Sequence, residues 1–164
     1  ISRDVTHFGE YPIFNEEVFL SKYKKNLNDD FVLGYFIHLY TDYLWNEYFI
    51  KQIFKDGILT MIDGGKVKCD KELSMYLYQD YDSLIEDIIN TYNMDLSFLN
   101  EDIPNIDDII EEIPISKLHI VLDKTKELVN YKNKSKLNVM NMESINVFVS
   151  LCKNKIIKKL NEIA

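Results

Sequence analysis

The chain has 164 residues, 46% of them hydrophobic and 28% charged, a balance that suits a globular protein with a core of its own. A formal net charge of −8 argues against a main role on nucleic-acid backbones, and five Gly and three Pro disfavour a turn-rich all-β fold. The two cysteines, Cys69 and Cys152, form no CxxC pair, so neither a thiolate zinc site nor a disulfide framework is indicated.

The first dozen residues, ISRDVTHFGEYP, read as a loop. Asn15 is placed to cap a helix whose apolar positions are Val18, Phe19, Tyr23 and Leu27. NLNDD at 26–30 breaks it, and Asp29 or Asp30 caps the next. From Phe31 to about Lys55 the pattern is apolar on most faces and free of Pro, which predicts a central buried helix at about 30–55. Asp56-Gly57 then reads as a helix stop. ILTMIDGGKVKC at 58–69 is the one β-like piece, a small hairpin turned at Asp63-Gly64-Gly65 or a loop.

Asp70 is placed to cap a helix to about Tyr92, with Leu73, Leu77, Leu84, Ile85, Ile88 and Ile89 on one face. A short helix fits Asp95–Asn100, and the acidic Asp107–Glu112 reads as a solvated face, with a calcium or partner site as the alternative. Pro114 or Ser116 starts a helix to about Tyr131, KNKSKLN reads as a polar linker, and Met142–Ile163 as an amphipathic helix. The sum is an all-α, single-domain bundle of five to seven helices over 1–164. Because the chain opens on Ile1, a preceding N-terminal segment is expected. No apolar run reaches the roughly 18 residues of a membrane span, and the expected location is the cytoplasm, with secretion left open.

The apolar stretch Phe31–Phe49 carries His38 and Asp42. Residues four apart share a helical face, so HxxxD aims an imidazole and a carboxylate at one point. The two readings are a metal site and a satisfied core hydrogen bond. The pattern alone is cheap: 27 of 164 residues are acidic, so roughly one His in six has an acid at i+4, and His119–Asp123 repeats it. Gly34, His38, Asp42 and Trp45 share one face, and an ionised Asp in a buried helix is costly unless paired or metal-bound, which favours the metal reading for the first pair. Gly34 is expected to allow a close approach. A catalytic zinc needs about three protein ligands, and His7, on nearby loop backbone, is the natural third.

THF at 6–8 followed by LGYFIHLYTDYLW at 33–45 resembles the zinc-dependent phospholipase C family of bacteria, and within it small hydrolases of Firmicutes. That all-helical superfamily is shared with the S1/P1-type nucleases. The resemblance implies a zinc bound by His7 as a loop ligand and by His38 and Asp42 as the helical HxxxD. It also takes in Tyr78-Gln79-Asp80-Tyr81, which is similar to a YxDY of the small hydrolases, and it covers roughly residues 1–95. The family's upstream Asp has no counterpart after Ile1, with Asp4 set very close to His7, and Tyr48 stands where a second-metal His is expected. One or two zinc ions are therefore implied rather than three.

The expected function is a zinc-dependent hydrolase of phosphate esters, acting on a small-molecule or lipid phosphoester with a metal-bound water as nucleophile. His7, His38 and Asp42 are the expected ligands, Asp42 the expected catalytic residue and Trp45 a wall of the substrate pocket. Asp4 and Asp80 are secondary candidates; no single Lys or Arg is identifiable as an assisting cation, Arg3 being the closest in sequence. The alternative is a non-catalytic helical binding or regulatory domain with His38–Asp42 as a structural pair. No ExxH, HExxH, GxxxxGK or GxSxG is present to support other chemistries.

Overall fold

The computed structural model describes residues 3–9, 14–69, 72–103, 108–131 and 134–163. The predicted cap at Asp70 and the first residue of the acidic stretch, Asp107, lie outside them. The chain is mostly helical with one small sheet, which bears out the all-α expectation. It divides into two compact units: Ile1–Lys51, Ile106–Ile115 and Phe148–Ala164 form one, Gln52–Asn105 and Ser116–Val147 the other.

The first unit begins with a helical turn, α1 (Arg3–Thr6), where a loop is expected from the sequence. Next comes α2 (Glu16–Tyr23), capped by the Asn15 side chain, which accepts from the Val18 amide. Val18 itself is exposed, and α2 buries Phe19 and Tyr23 instead. A 3-10 turn (Lys24–Asn26) leads to α3 (Asp30–Trp45). Here Asp29 is the cap, its carboxylate accepting from the Phe31 and Val32 amides. The helical path runs on through a π-helical segment (Asn46–Ile50) into α4 (Lys51–Ile53).

Helix α3 is buried on one side only. Val32, Phe36, Leu39, Tyr40 and Leu44 face the core, whereas Gly34, His38 and Tyr43 are exposed. The core itself is aromatic: Phe8, Phe19, Tyr23, Val32, Phe36, Leu39 and Ile110 pack together. Tyr40 and Leu44 pack with Cys152 of α7 (Met142–Ile163), flanked by Phe148 and Ile156. Gly34 does not serve a close approach, since a Cβ built there would meet nothing within 4 Å.

The acidic stretch is more than a solvated face. Glu112 accepts from Lys22 Nζ at 2.5 Å and from the Tyr23 hydroxyl at 2.6 Å, and the Glu111 amide donates to that hydroxyl at 3.2 Å. These bonds tie the segment around Ile110 to α2. Burial pushes the Glu112 carboxyl up, but the hydrogen bonds from Lys22 and Tyr23 outweigh it and hold it below its ordinary value.

The second unit opens with a three-stranded antiparallel sheet, β1 (Phe54–Lys55), β2 (Ile58–Thr60) and β3 (Lys66–Lys68), paired in that order. The predicted hairpin over 58–69 is present, but Asp56-Gly57 is not a helix stop. Both residues have positive φ (52° and 74°) and form the two-residue turn between β1 and β2 that such a pair favours. α5 (Leu73–Tyr92) ends on Asn93 in the left-handed conformation, a 3-10 turn (Ser97–Asn100) follows, and a second one (Ile115–Lys117) leads into α6 (Leu118–Asn130).

The stretch before α7 is not a loose polar linker. Asp80 on α5 is fully buried, and its carboxylate accepts from the Asn138 amide and side chain and from the Val139 and Met140 amides, all within 2.7–3.0 Å. Ser83 accepts from the Ser135 amide at 3.0 Å, and the Ile62 amide donates to the Asn138 carbonyl at 2.7 Å. Among the described residues, no helix is long and apolar enough to cross a membrane.

Candidate metal centre

Two elements of the first unit bring the predicted residues together. α3 places His38 and Asp42 one turn apart on its open face, with His38 Nε2 4.0 Å from Asp42 Oδ2. The turn after α1 brings His7 in from the side, with its Nε2 3.4 Å from the same Oδ2. One nitrogen from each imidazole and one Asp42 oxygen all lie within 4.8 Å of one another. The two imidazole rings meet edge to face, with centroids 5.9 Å apart.

The spacing suits a small cation. Two ligand atoms about 2.0–2.2 Å from a tetrahedral zinc stand roughly 3.3–3.6 Å from each other. The His7–Asp42 distance already falls there. His38 stands further off, at 4.0 Å from the same oxygen, with its side chain 52% exposed. His7, by contrast, is 14% exposed and Asp42 33%, so the centre is closed on the His7 side and open along α3. An open side is what separates a catalytic zinc site, with a position left for water or substrate, from a closed structural one.

The surroundings orient His7. Its Nδ1 lies 3.0 Å from Thr6 Oγ1. With the proton on Nδ1 and donated to that hydroxyl, Nε2 presents a lone pair to Asp42 Oδ2. With the hydroxyl donating to Nδ1 instead, Nε2–H faces the Asp42 carboxylate, and the contact is that of a neutral histidine–aspartate pair. Tyr35, on the same face of α3 as His38, donates its hydroxyl to the Thr6 carbonyl at 2.8 Å, and its ring lies 5.6 Å from the His38 ring. Burial is the main cause that pushes Tyr35 up to about 12, with the charges of Asp42 and Glu112 adding to it against the opposing Thr6 contact.

The other candidates are placed differently. Trp45 stacks on Phe49 at 4.1 Å and meets Phe148 edge-on at 4.7 Å, an aromatic group one turn beyond Asp42. Tyr48 accepts from Lys155 Nζ at 2.8 Å, with the ammonium 4.8 Å from the ring centre. Asp80 belongs to the second unit, where four N–H donors engage its carboxylate. His119 and Asp123 are both exposed on α6. The side chains of Arg3 and Asp4 lie outside what the structure describes. Sequence reasoning missed Thr6 and Tyr35. Tyr35 sits three residues before His38, which puts it on the site face, but its partner across the fold leaves no mark in the local pattern.

Compared with protein-family models, with curated proteins and with solved structures, the chain gives no significant match.

Proposed function

We propose that His7, His38 and Asp42 hold one divalent cation, zinc by the chemistry of the donors, and that the chain is a metal-dependent hydrolase of phosphate esters. The observation that carries the metal reading is the convergence of these three groups within 4.8 Å on a centre with one open side. Two imidazoles and a carboxylate form a donor set suited to zinc. The phosphoester part rests on the similarity of THF and LGYFIHLYTDYLW to the zinc-dependent phospholipase C family.

Zinc bound there would supply Lewis acidity toward a phosphoryl oxygen and activate water at neutral pH. The chain's own residues do the rest. Asp42 offsets part of the cation's charge and faces both imidazoles. Thr6 fixes the His7 ring through Nδ1. The exposed edge of His38, beside the empty space over Gly34, leaves room for a substrate to approach. Trp45, further along the same helix and packed on Phe49 and Phe148, would flank the apolar part of a small-molecule or lipid phosphoester.

One observation favours a second reading, a helical binding or regulatory domain without catalysis. Tyr48 is committed to Lys155, so the position where a second metal ligand is expected carries a lysine–tyrosine contact. Metal analysis of protein purified without chelator separates the cases. The proposal expects about one zinc per chain, lost in His7→Ala and in His38→Ala, and zinc-dependent hydrolysis of a chromogenic phosphodiester. Absence of metal, with melting unchanged on adding zinc, sinks the metal reading. Stoichiometric zinc without hydrolysis of any phosphoester tested leaves the non-catalytic domain.

A further inference from the structure

We infer that Tyr35 is a positioning residue for the ligand His7, an inference that rests on the metal reading above. His7 differs from the other two ligands. His38 and Asp42 share one helix, so their spacing is fixed by α3 itself. His7 sits on a short turn, and a ligand on free backbone must be ordered when the ion binds, which weakens affinity.

The structure fixes that turn in advance. Phe8, the next residue, is held at φ +58°, a region that aromatic side chains seldom enter. Its ring is buried against Phe19 at 5.1 Å and Tyr23 at 6.0 Å, and its amide closes the turn on the Val5 carbonyl at 3.3 Å. Core packing therefore sets the far side of His7. Tyr35 sets the near side, because its hydroxyl holds the Thr6 carbonyl at 2.8 Å. That carbonyl belongs to the peptide that joins Thr6 to His7. The same Thr6 meets His7 Nδ1 through its own hydroxyl at 3.0 Å. The Tyr35 ring also flanks the ring of His38. One side chain thus joins the His7 turn to the helix that carries the other two ligands, and its hydroxyl makes that link.

Tyr35→Phe removes the hydroxyl and keeps the ring. Zinc affinity is measured by competition with a chromogenic chelator, and ligand geometry by the visible absorption of the cobalt-substituted protein. The expected result is a loss of zinc affinity of about 10–100-fold, the usual effect of removing a group that orients a ligand. The cobalt spectrum should shift as well. Tyr43→Phe, which removes an exposed hydroxyl elsewhere on α3, should change neither. A merely structural role would instead lower the melting temperature of the metal-free protein and leave the cobalt spectrum of the loaded protein unchanged.

Replacing Tyr35 by p-aminophenylalanine keeps a donor at the same place and should restore affinity, which guards against a variant that simply folds poorly. Wild-type affinity and spectrum in Tyr35→Phe, or a lower metal-free melting temperature with an unchanged cobalt spectrum, overturns the inference. Failure of the wild-type chain to bind zinc overturns the metal reading and this inference with it. Zinc bound equally by wild type and Tyr35→Phe overturns the inference alone.

Discussion

Asp80→Asn is expected to be among the most damaging conservative substitutions in the chain. The side chain is fully buried on α5. Oδ1 accepts from the Asn138 amide at 2.8 Å and its side chain at 2.9 Å, and Oδ2 accepts from the Val139 and Met140 amides at 2.7 and 3.0 Å. An amide keeps one oxygen and turns the other acceptor into an NH2 group that faces two N–H donors. Two bonds to a charged group are lost, each worth about 1.5–3 kcal/mol, and the two survivors become weaker neutral bonds. Relief of the carboxylate's own desolvation offsets part of this. The net cost is about 3–5 kcal/mol, against a total stability of about 5–15 kcal/mol for a typical domain.

Equilibrium urea unfolding, followed by far-ultraviolet circular dichroism, measures the difference. Asp87→Asn is the control, because Asp87 pairs with Lys134 at the surface, with side chains 46% and 58% exposed. That change should cost less than about 1 kcal/mol. A cost below about 1 kcal/mol for Asp80→Asn as well would refute the reasoning, since it would mean that water or another group replaces the carboxylate at no penalty.

Gly34→Ala should stabilise the protein by about 0.5–1 kcal/mol, because the position is exposed mid-helix and the added methyl meets nothing. The melting temperature should rise by about 1–4 °C, and an unchanged or lower value counts against the open space described over the site. Tyr23→Phe should flatten the acid side of the stability profile. Glu112 is held below its ordinary carboxyl value, so its contribution is present above about pH 4.5 and is lost as pH falls through the depressed folded value. Removing one of its donors raises that folded value, so melting between about pH 5 and 3 should fall less steeply than in wild type. Parallel acid profiles would show that Glu112 draws its shift from elsewhere.

Local chemistry made much of the fold legible. Asn15 and Asp29 have short acceptor side chains just ahead of apolar periodicity, and both cap the predicted helices. Met142–Ile163 follows from its own amphipathic pattern. What escaped depends on contacts distant in sequence. Asp56-Gly57 fits a helix end and a hairpin turn equally well, and only the pairing of β1 with β2 decides between them. KNKSKLN looks like a polar linker because the groups that hold Ser135 and Asn138, Ser83 and Asp80, lie more than fifty residues earlier.

The nearness of His38 and Asp42 was legible for the same reason and only to the same extent. HxxxD is a statement about one helix, and α3 delivers it. The expectation of a helix buried on most faces was too strong, and the reason is instructive. Tyr35 packs against the core with its ring beside His38, and Trp45 packs on Phe49 and Phe148. An apolar composition thus hid an ordinary division of faces, with Phe36 and Leu39 toward the core and Gly34 and His38 toward solvent. Asp42 is one-third exposed and need not be paired to be tolerated. The burden shifts to His7. A solvent-facing HxxxD is common and usually idle, but a third donor brought 3.4 Å from Asp42 by a strained, core-anchored turn is not produced by helical periodicity. The convergence across the fold, rather than the spacing within the helix, is the argument for a metal at this place.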